Sequence, residues 1–284
     1  MRQKILILYH SGAGSTKTIA DVYSILLKEY QTDILPVSLS FDYTLIGRYD
    51  LLVFCFPCYH CDVSKLMKDF LERMPEQPQP TKAFAFLTYG LYAGNAIRNF
   101  IKKCRSKKIH VENYADYRSP ATDGTLLLPS FRFMYRYEKN VSGNILKDIE
   151  KIKKILSGER STRKLPRFKL YTLLNYPNEI LGKKSKPRIK VRKEVCTNCH
   201  LCVNRCPRGC WTAGTSYPVF DPVACDSCYK CIHHCPREAL VFSEKTIRKK
   251  KLNPAFYKEW KEKILEGRKR KYNFYNLISL LFIE

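Results

Sequence analysis

At 284 residues and 45% hydrophobic content, the chain has room for two domains, each with its own core. No apolar stretch approaches the ~20 residues of a membrane-spanning helix. The start, MRQKILILYH, has no small-residue cleavage site, so a signal peptide is not expected either. The thirteen cysteines then point to a reducing, cytoplasmic setting and to metal ligation, not to a disulfide framework.

The net charge of +25 is uneven. Residues 1–125 hold 16 Lys and Arg against 12 Asp and Glu, whereas 151–194 hold 15 against 3 and 244–284 hold 12 against 5. Between these basic blocks, residues 195–243 hold 4 against 3. Such blocks suit an acidic redox partner protein or an anionic membrane surface. Neither carries a recognition motif, so nucleic acid is not expected as a partner. Oligomeric state is not readable.

In chain order, Lys4–Tyr9 is a short apolar run ending at His10, and a helical pattern follows from Ser15 to about Tyr30. Between them lies Ser11-Gly12-Ala13-Gly14-Ser15-Thr16. Strand, glycine-rich turn and helix together aim free N–H groups at an anion. The turn is neither a Walker A motif nor a full G-x-G-x-x-G. Ile34–Val37, Leu51–Phe56, Ala83–Leu87 and Ile109–Asn113 read as further strands. Val63–Met74, Ala93–Lys107 and 142–157 read as helices, the last closing the domain. Five strands alternating with helices predict a doubly wound parallel α/β sheet with its ligand at the carboxyl ends of the strands.

Gly124–Tyr137 is apolar and aromatic, suited to packing between domains or lining an opening near the ligand. Residues 158–186 read as a basic linker. The segment 244–284 reads as a basic helical extension, with a helix over Thr246–Tyr272 and an aromatic–aliphatic end at Tyr272–Ile283. That end suits packing on the first domain, a docking helix or a membrane-surface anchor.

The strongest motif is an internal repeat. Cys196, Cys199, Cys202 and Cys206 precede Pro207; Cys225, Cys228, Cys231 and Cys235 precede Pro236, each cysteine 29 residues after its counterpart. Both runs read C-x2-C-x2-C-x3-C-P. Three closely spaced thiolates surround one cubane and the fourth turns to the other cluster. That pairs Cys196, Cys199 and Cys202 with Cys235, and Cys225, Cys228 and Cys231 with Cys206. Structural zinc favours two separated pairs instead. Trp211–Phe220, around Gly214 and Pro218, suits a hairpin between the halves, and Ala239–Phe242 a closing strand. Cys210 is an extra cysteine expected as a small buried apolar residue.

Residues 187–243 resemble the bacterial ferredoxin with two [4Fe–4S] clusters, an α+β domain. Residues 1–157 resemble a flavodoxin domain, whose three loops hold flavin mononucleotide (FMN). The resemblance assigns the phosphate to Ser11, Gly12, Ala13, Gly14, Ser15 and Thr16, with Ala13 in place of a hydroxyl residue of the usual Ser/Thr-x-Thr-Gly-x-Thr. Pro57, Cys58, Tyr59 and His60 match the second loop, with Tyr59 covering the ring. Thr88, Tyr89, Gly90, Leu91, Tyr92, Gly94 and Asn95 match the third, with Tyr92 a second stacking candidate. Put together, the chain resembles the flavodoxin-domain ferredoxins of anaerobic microbes, over residues 1–115 and 187–243 and poorly over 116–141 and 160–186. That implies an electron-transfer protein holding FMN and two clusters. The alternatives are a flavin-dependent reductase of a small molecule fed by the clusters and a cluster-dependent redox sensor or nucleic-acid-binding protein.

Cys55, Cys58 and Cys61 also read C-x2-C-x2-C, with Cys104 as an imaginable fourth ligand. No proline-flanked cysteine follows, so buried or flavin-adjacent thiols are expected there. His200, His233 and His234 are expected to be solvent-facing loop residues.

Overall fold

A computed structural model describes residues 2–128, 130–159, 163–174, 187–242 and 251–281; side chains of the last helix are described to Gly267. The first domain is built on β1 (Lys4–Tyr9), β2 (Gln31–Pro36), β3 (Leu51–Tyr59), the two-residue β4 (Asp62–Val63), β5 (Thr81–Tyr89) and β6 (Ile109–Arg118). The main path runs β2-β1-β3-β5-β6 with every pairing parallel; β4 only folds back antiparallel on β3. Counting the long strands alone, this is the flavodoxin-like order 2-1-3-4-5. The expected doubly wound sheet is present.

Residues 51–57 of β3 are buried on both faces, as the continuous run LLVFCF requires of a central strand. Alternation then sorts the sheet into two cores. Ile5, Ile7, Phe84 and Phe86 face helices α1 (Ser15–Leu26) and α5 (Val141–Leu156), whereas Leu6, Leu8, Phe54 and Phe56 face α2 (Lys65–Arg73) and α3 (Ala96–Arg105). Phe100 of α3 stacks 4.5 Å from Phe56 and 5.3 Å from Phe54. Burying each such ring contributes about 1.5–3 kcal/mol.

Most strands run longer than their apolar runs, because pairing continues past them. β6 continues five residues beyond Asn113, through Ala115 and Tyr117, which pack against the α1 and α5 side. After β6 come α4 (Gly124–Leu127), a 3-10 turn at Arg132–Tyr135, and α5. α2 starts at Lys65, later than expected, because Asp62 and Val63 pair with Tyr59 and Cys58.

Residues 187–242 form a small unit with the internal repeat written into its backbone. Helices Leu201–Arg205 and Lys230–His234 are related by the same 29 residues. So are the left-handed residues Asn198 (φ 48) and Ser227 (φ 54), and His200 (φ 58) and Tyr229 (φ 54). Trp211–Thr212 pairs with Val219–Phe220 in the expected hairpin, and Leu240–Val241 pairs with Lys190–Val191. The core is thin: Ile189, Cys210, Trp211, Ile232 and Leu240, joined by Leu126 of α4 from the sheet domain.

The two units are docked. Arg208 of the cysteine module reaches Asp69 of α2 (2.7 Å) and Asp226 (3.6 Å), and Asp226 accepts from the Leu66 amide at the start of α2 (3.2 Å). Beyond the module the chain returns to the first domain. The helix Pro254–Leu281 packs Tyr257, Trp260 and Ile264 into the core beside α1 and α5. Proline suits its first position, where the missing N–H is unneeded. Residues 243–250, half of the 158–186 segment, and the side chains of Tyr272–Ile283 lie outside the described residues. The near part of the expected linker packs on the sheet domain: the Arg163 amide donates to the Glu112 carbonyl, and its guanidinium lies 4.2 Å from the Tyr114 ring centroid.

Candidate functional site

A cavity of about 450 Å³ opens at the carboxyl ends of β1, β3, β5 and β6, within the range of small-molecule sites. Ser11, Gly12, Ala13, Ser15 and Thr16 line it from the first loop, Pro57, Cys58, Tyr59 and His60 from the second, and Thr88 to Tyr92 from the third.

Gly14, Gly94 and Asn95 do not line it. Gly14 (φ 149) turns its α-carbon toward the C-terminal helix, where an added Cβ would meet the Tyr257 ring at 2.4 Å. Gly94 (φ 54) sits under Cys61, whose carbonyl would be 2.5 Å from a Cβ. Asn95 is spent on the segment after α5, donating to the Thr172 hydroxyl (2.7 Å) and accepting from the Lys169 amide (2.9 Å).

The glycine-rich loop is held from outside the cavity. The Tyr257 and Ser15 hydroxyls are 3.1 Å apart, Ser11 Oγ accepts from the Lys17 amide (3.2 Å), and Thr16 and Thr88 hydroxyls meet at 2.8 Å, tying the first loop to the third. Among the described residues, the amides of Gly12, Ala13 and Gly14 donate to no backbone carbonyl. The Tyr59 hydroxyl, close against Gly12, is buried without a hydrogen-bond partner. Unengaged donors at a helix N-terminus fit an anionic group such as a phosphate. Tyr59 meets the His10 ring edge-on at 6.1 Å. Burial, then Lys230 and Arg208, hold His10 down to a pKa of about 3, so it is neutral; its Nδ1 lies 2.8 Å from Ser64 Oγ. Tyr92 stands on the rim, 59% exposed.

A fourth loop, Ser119 to Gly124, also lines the cavity, with Leu127, Leu128 and Met134 behind it. The rule of carboxyl-end loops finds it once β6 is read to Arg118; stopping at Asn113 hides it. The apolar Gly124–Tyr137 segment both lines the opening and, through Leu126, packs on the cysteine module. More telling are Ser227 and Tyr229, which complete the wall from the cysteine repeat itself. At the same wall, Cys228 Cβ lies 3.1 Å from a Cβ built on Gly12.

The eight repeat cysteines ring a second cavity together with Cys210. Among the described residues, no three His, Cys, Asp or Glu converge on a single-ion point. Cys202 instead neighbours Cys235 and Cys199, and Cys231 neighbours Cys228, Cys225 and Cys206. Burial, then Cys235 and Cys199, raise Cys202 to about 11; burial raises Cys231, with Cys228, Cys225 and Cys206 adding to it. The sulfurs also receive backbone donors at matching places: Cys210 N–H to Cys206 (3.3 Å), Ala239 N–H to Cys235 (3.2 Å) and Ser227 N–H to Cys225 (3.4 Å). Cys210 is buried and occupies the position that Ala239 holds in the second half. Its thiol lies against Cys206 and Cys225 and lowers the pKa of both. A donor set of separated thiols, each group completed from the other half, fits cubane ligation.

The histidines correct the expectation of solvent-facing loops. His233 is 1% exposed: its Nε2–H donates to the Thr122 carbonyl (2.9 Å) and its Nδ1 accepts from Leu252 N–H (3.1 Å). His234 Nε2–H donates to the Ala13 carbonyl of the glycine-rich loop. His200, half-buried, bonds Asn198 (3.0 Å). The other cysteine run does not assemble: Cys55 and Cys104 lie in cores on opposite faces of the sheet. Cys58 S–H points at the Ala93 carbonyl (3.4 Å), and Cys61 lines the first cavity.

No protein-family model matches the chain, and no curated protein does. Among solved structures, the two-electron reduced flavodoxin of Megasphaera elsdenii shares 17% identity with a TM-score of 0.36, covering 39% of this chain and 84% of its own. A flavodoxin from the domain Archaea shares 17% identity at TM-score 0.36, with 52% of this chain and 99% of its own covered. Oxidised flavodoxin 2 from Bacillus cereus shares 19% at TM-score 0.35, over 40% of this chain and 84% of its own. The strand order on its own gives the first domain a flavodoxin-like fold, followed by a cysteine-rich unit of short helices and ribbons.

Proposed function

We propose that this chain is an electron-transfer flavo-iron–sulfur protein that passes electrons between FMN and two [4Fe–4S] clusters. One observation carries the reading: the loop 225–231 supplies part of the wall of the cavity at the strand ends. Two cofactor sites that share a wall are close enough to exchange electrons within one molecule. FMN exchanges one or two electrons and each cluster one, so joining them splits or collects electron pairs.

The chain's own residues bind and tune. Gly12, Ala13, Ser15 and Thr16 present the phosphate end, with Tyr257 and His234 bracing their loop from behind. Tyr59 lines the cavity, and its hydroxyl and Cys228 both lie against Gly12 at the shared wall. The amides of Cys210, Ser227 and Ala239 stabilise thiolate charge at the sulfurs they face. No acid–base pair or nucleophile is needed for this work.

The test is cofactor analysis of protein purified without oxygen. One FMN and about eight irons per chain are expected. Eight irons without flavin, even after reconstitution, sink the flavin assignment. About four irons sink the crossed two-cluster assignment. A second reading is favoured by the rim, where Leu91, Tyr92, Leu127 and Leu128 are exposed around the opening. An apolar mouth of this kind admits a small conjugated molecule for reduction over the flavin. Steady turnover of such a molecule, fed through the clusters, distinguishes a reductase from a carrier.

A further inference from the structure

Symmetry in the cysteine repeat ends at its surroundings. Cys228 is buried against the glycine-rich loop, while its counterpart Cys199 is exposed. Tyr229 lines the first cavity, while its counterpart His200 does not. Of the cations between the two halves and the sheet domain, Arg208 is 8% exposed and committed to Asp69 and Asp226. On the Cys199 side the cations are exposed. Arg205 and Arg237 line the thiol cavity with Cys199. Asn198 donates to the Gly214 carbonyl, and Lys193 lies 4.5 Å from the Tyr217 ring on the same turn. The nearby carboxylate of Glu194 is engaged by Arg192 at 3.1 Å.

We infer that the Cys199 face is the docking surface for an acidic one-electron carrier protein, and that its electrons reach the cavity through the Cys228 half. The inference rests on the two-cluster reading above. Charge complementarity selects the occupant: exposed Lys193, Arg205 and Arg237 steer an acidic partner, and Cys199 is exposed among them while Cys228 is buried. Each transfer oxidises the carrier by one electron and reduces the centre beside Cys199 by one. The same electron then passes to the centre beside Cys228. No bond forms or breaks at the thiolates. Two carriers in succession supply the pair taken up in the cavity, and the protons that accompany it enter from solvent through its open mouth.

The test uses full-length protein loaded with iron and a small acidic two-cluster ferredoxin, reduced beforehand, as the carrier. The double variant Lys193→Glu with Arg237→Glu is compared with Lys28→Glu with Lys154→Glu, which makes the same charge change at exposed sites on the sheet domain. Bleaching of the cluster absorption by the carrier is followed at several ionic strengths. The first variant is expected to slow it about tenfold at low salt and to lose the salt dependence; the control stays within about twofold. Equal slowing in both, or none in the first, overturns the docking face. Added FMN should shift the hyperfine-shifted Cys225, Cys228 and Cys231 β-protons and leave those of Cys196, Cys199 and Cys202 in place; the reverse overturns the order of the centres. A chain that binds no iron overturns the parent reading, and an iron-loaded chain with unresponsive rates overturns only this inference.

Discussion

The two units of this molecule hold themselves together in different ways. The sheet domain buries two layers of aliphatic and aromatic side chains, with Phe54, Phe56, Phe84, Phe86 and Phe100 fully inaccessible. The core cluster of the cysteine module holds five buried apolar residues of its own and borrows Leu126. Its halves are otherwise joined by the pairing of Leu240–Val241 with Lys190–Val191 and by thiols around a space. A unit of this size lacks the buried area to fold by hydrophobic contact alone. The difference teaches where each unit's stability comes from: the first from apolar burial, the second from the neighbour it docks on and, on the proposed two-cluster reading, from metal ligation.

The largest break in that comparison is iron removal. Anaerobic chelation should abolish amide-exchange protection throughout 187–242 and leave β1, β3 and β5 protected. A module that stays protected without iron would refute the contrast. Next comes Phe100→Ala, which opens a cavity between α3 and the sheet. It is expected to cost the sheet domain about 3–5 kcal/mol in urea unfolding followed by circular dichroism. Arg208→Ala leaves Asp226 buried without its cation. A loss of about 2–5 kcal/mol is expected, read as proteolysis between the units at a denaturant concentration the parent resists.

Tyr257→Phe removes one hydroxyl from behind the glycine-rich loop, costing about 1 kcal/mol. That is roughly a fivefold weaker FMN dissociation constant in a fluorescence titration. The smallest effect concerns Asp62. Burial pushes its carboxyl up, but bonds from Lys68, Asn99 and the Val63 amide outweigh this and hold it below its usual range. Its contribution is therefore full above the unfolded pKa of about 3.9. It is lost as pH falls through the lowered folded-state value. Asp62→Asn should match the parent at the acid extreme and fall below it as pH rises; a constant offset at every pH would show that titration is not involved.

Much of the sheet was legible because long apolar runs have one physical solution. LLVFCF has nowhere to go but the centre of a parallel sheet, and a 29-residue offset shared by eight cysteines marks a duplicated unit. The loops at the strand ends followed from topology, which is why Ser11, Tyr59 and Thr88 come together. Strand ends were less legible. Pairing carries β6 past its apolar start, so the Ser119–Gly124 loop stayed hidden. Contacts between units left no periodic trace. A buried histidine such as His233 reads the same in sequence as an exposed one until Thr122 and Leu252 meet it. Gly14 read as a phosphate contact, yet its missing side chain makes room for Tyr257, some 240 residues later.

That last contact sets an order of manufacture. A growing chain completes every strand of the sheet, and the whole run of cysteines, before Pro254–Leu281 is made. Until then the glycine-rich loop has no Tyr257 behind it and the α1–α5 groove lies uncovered. On the proposed flavin reading, firm loading would wait for that helix. A chain interrupted in the basic stretch before Asn253 carries both sets of loops but not the brace. On the proposed reading such a fragment would hold the flavin less firmly, so this helix doubles as a check that synthesis has passed it.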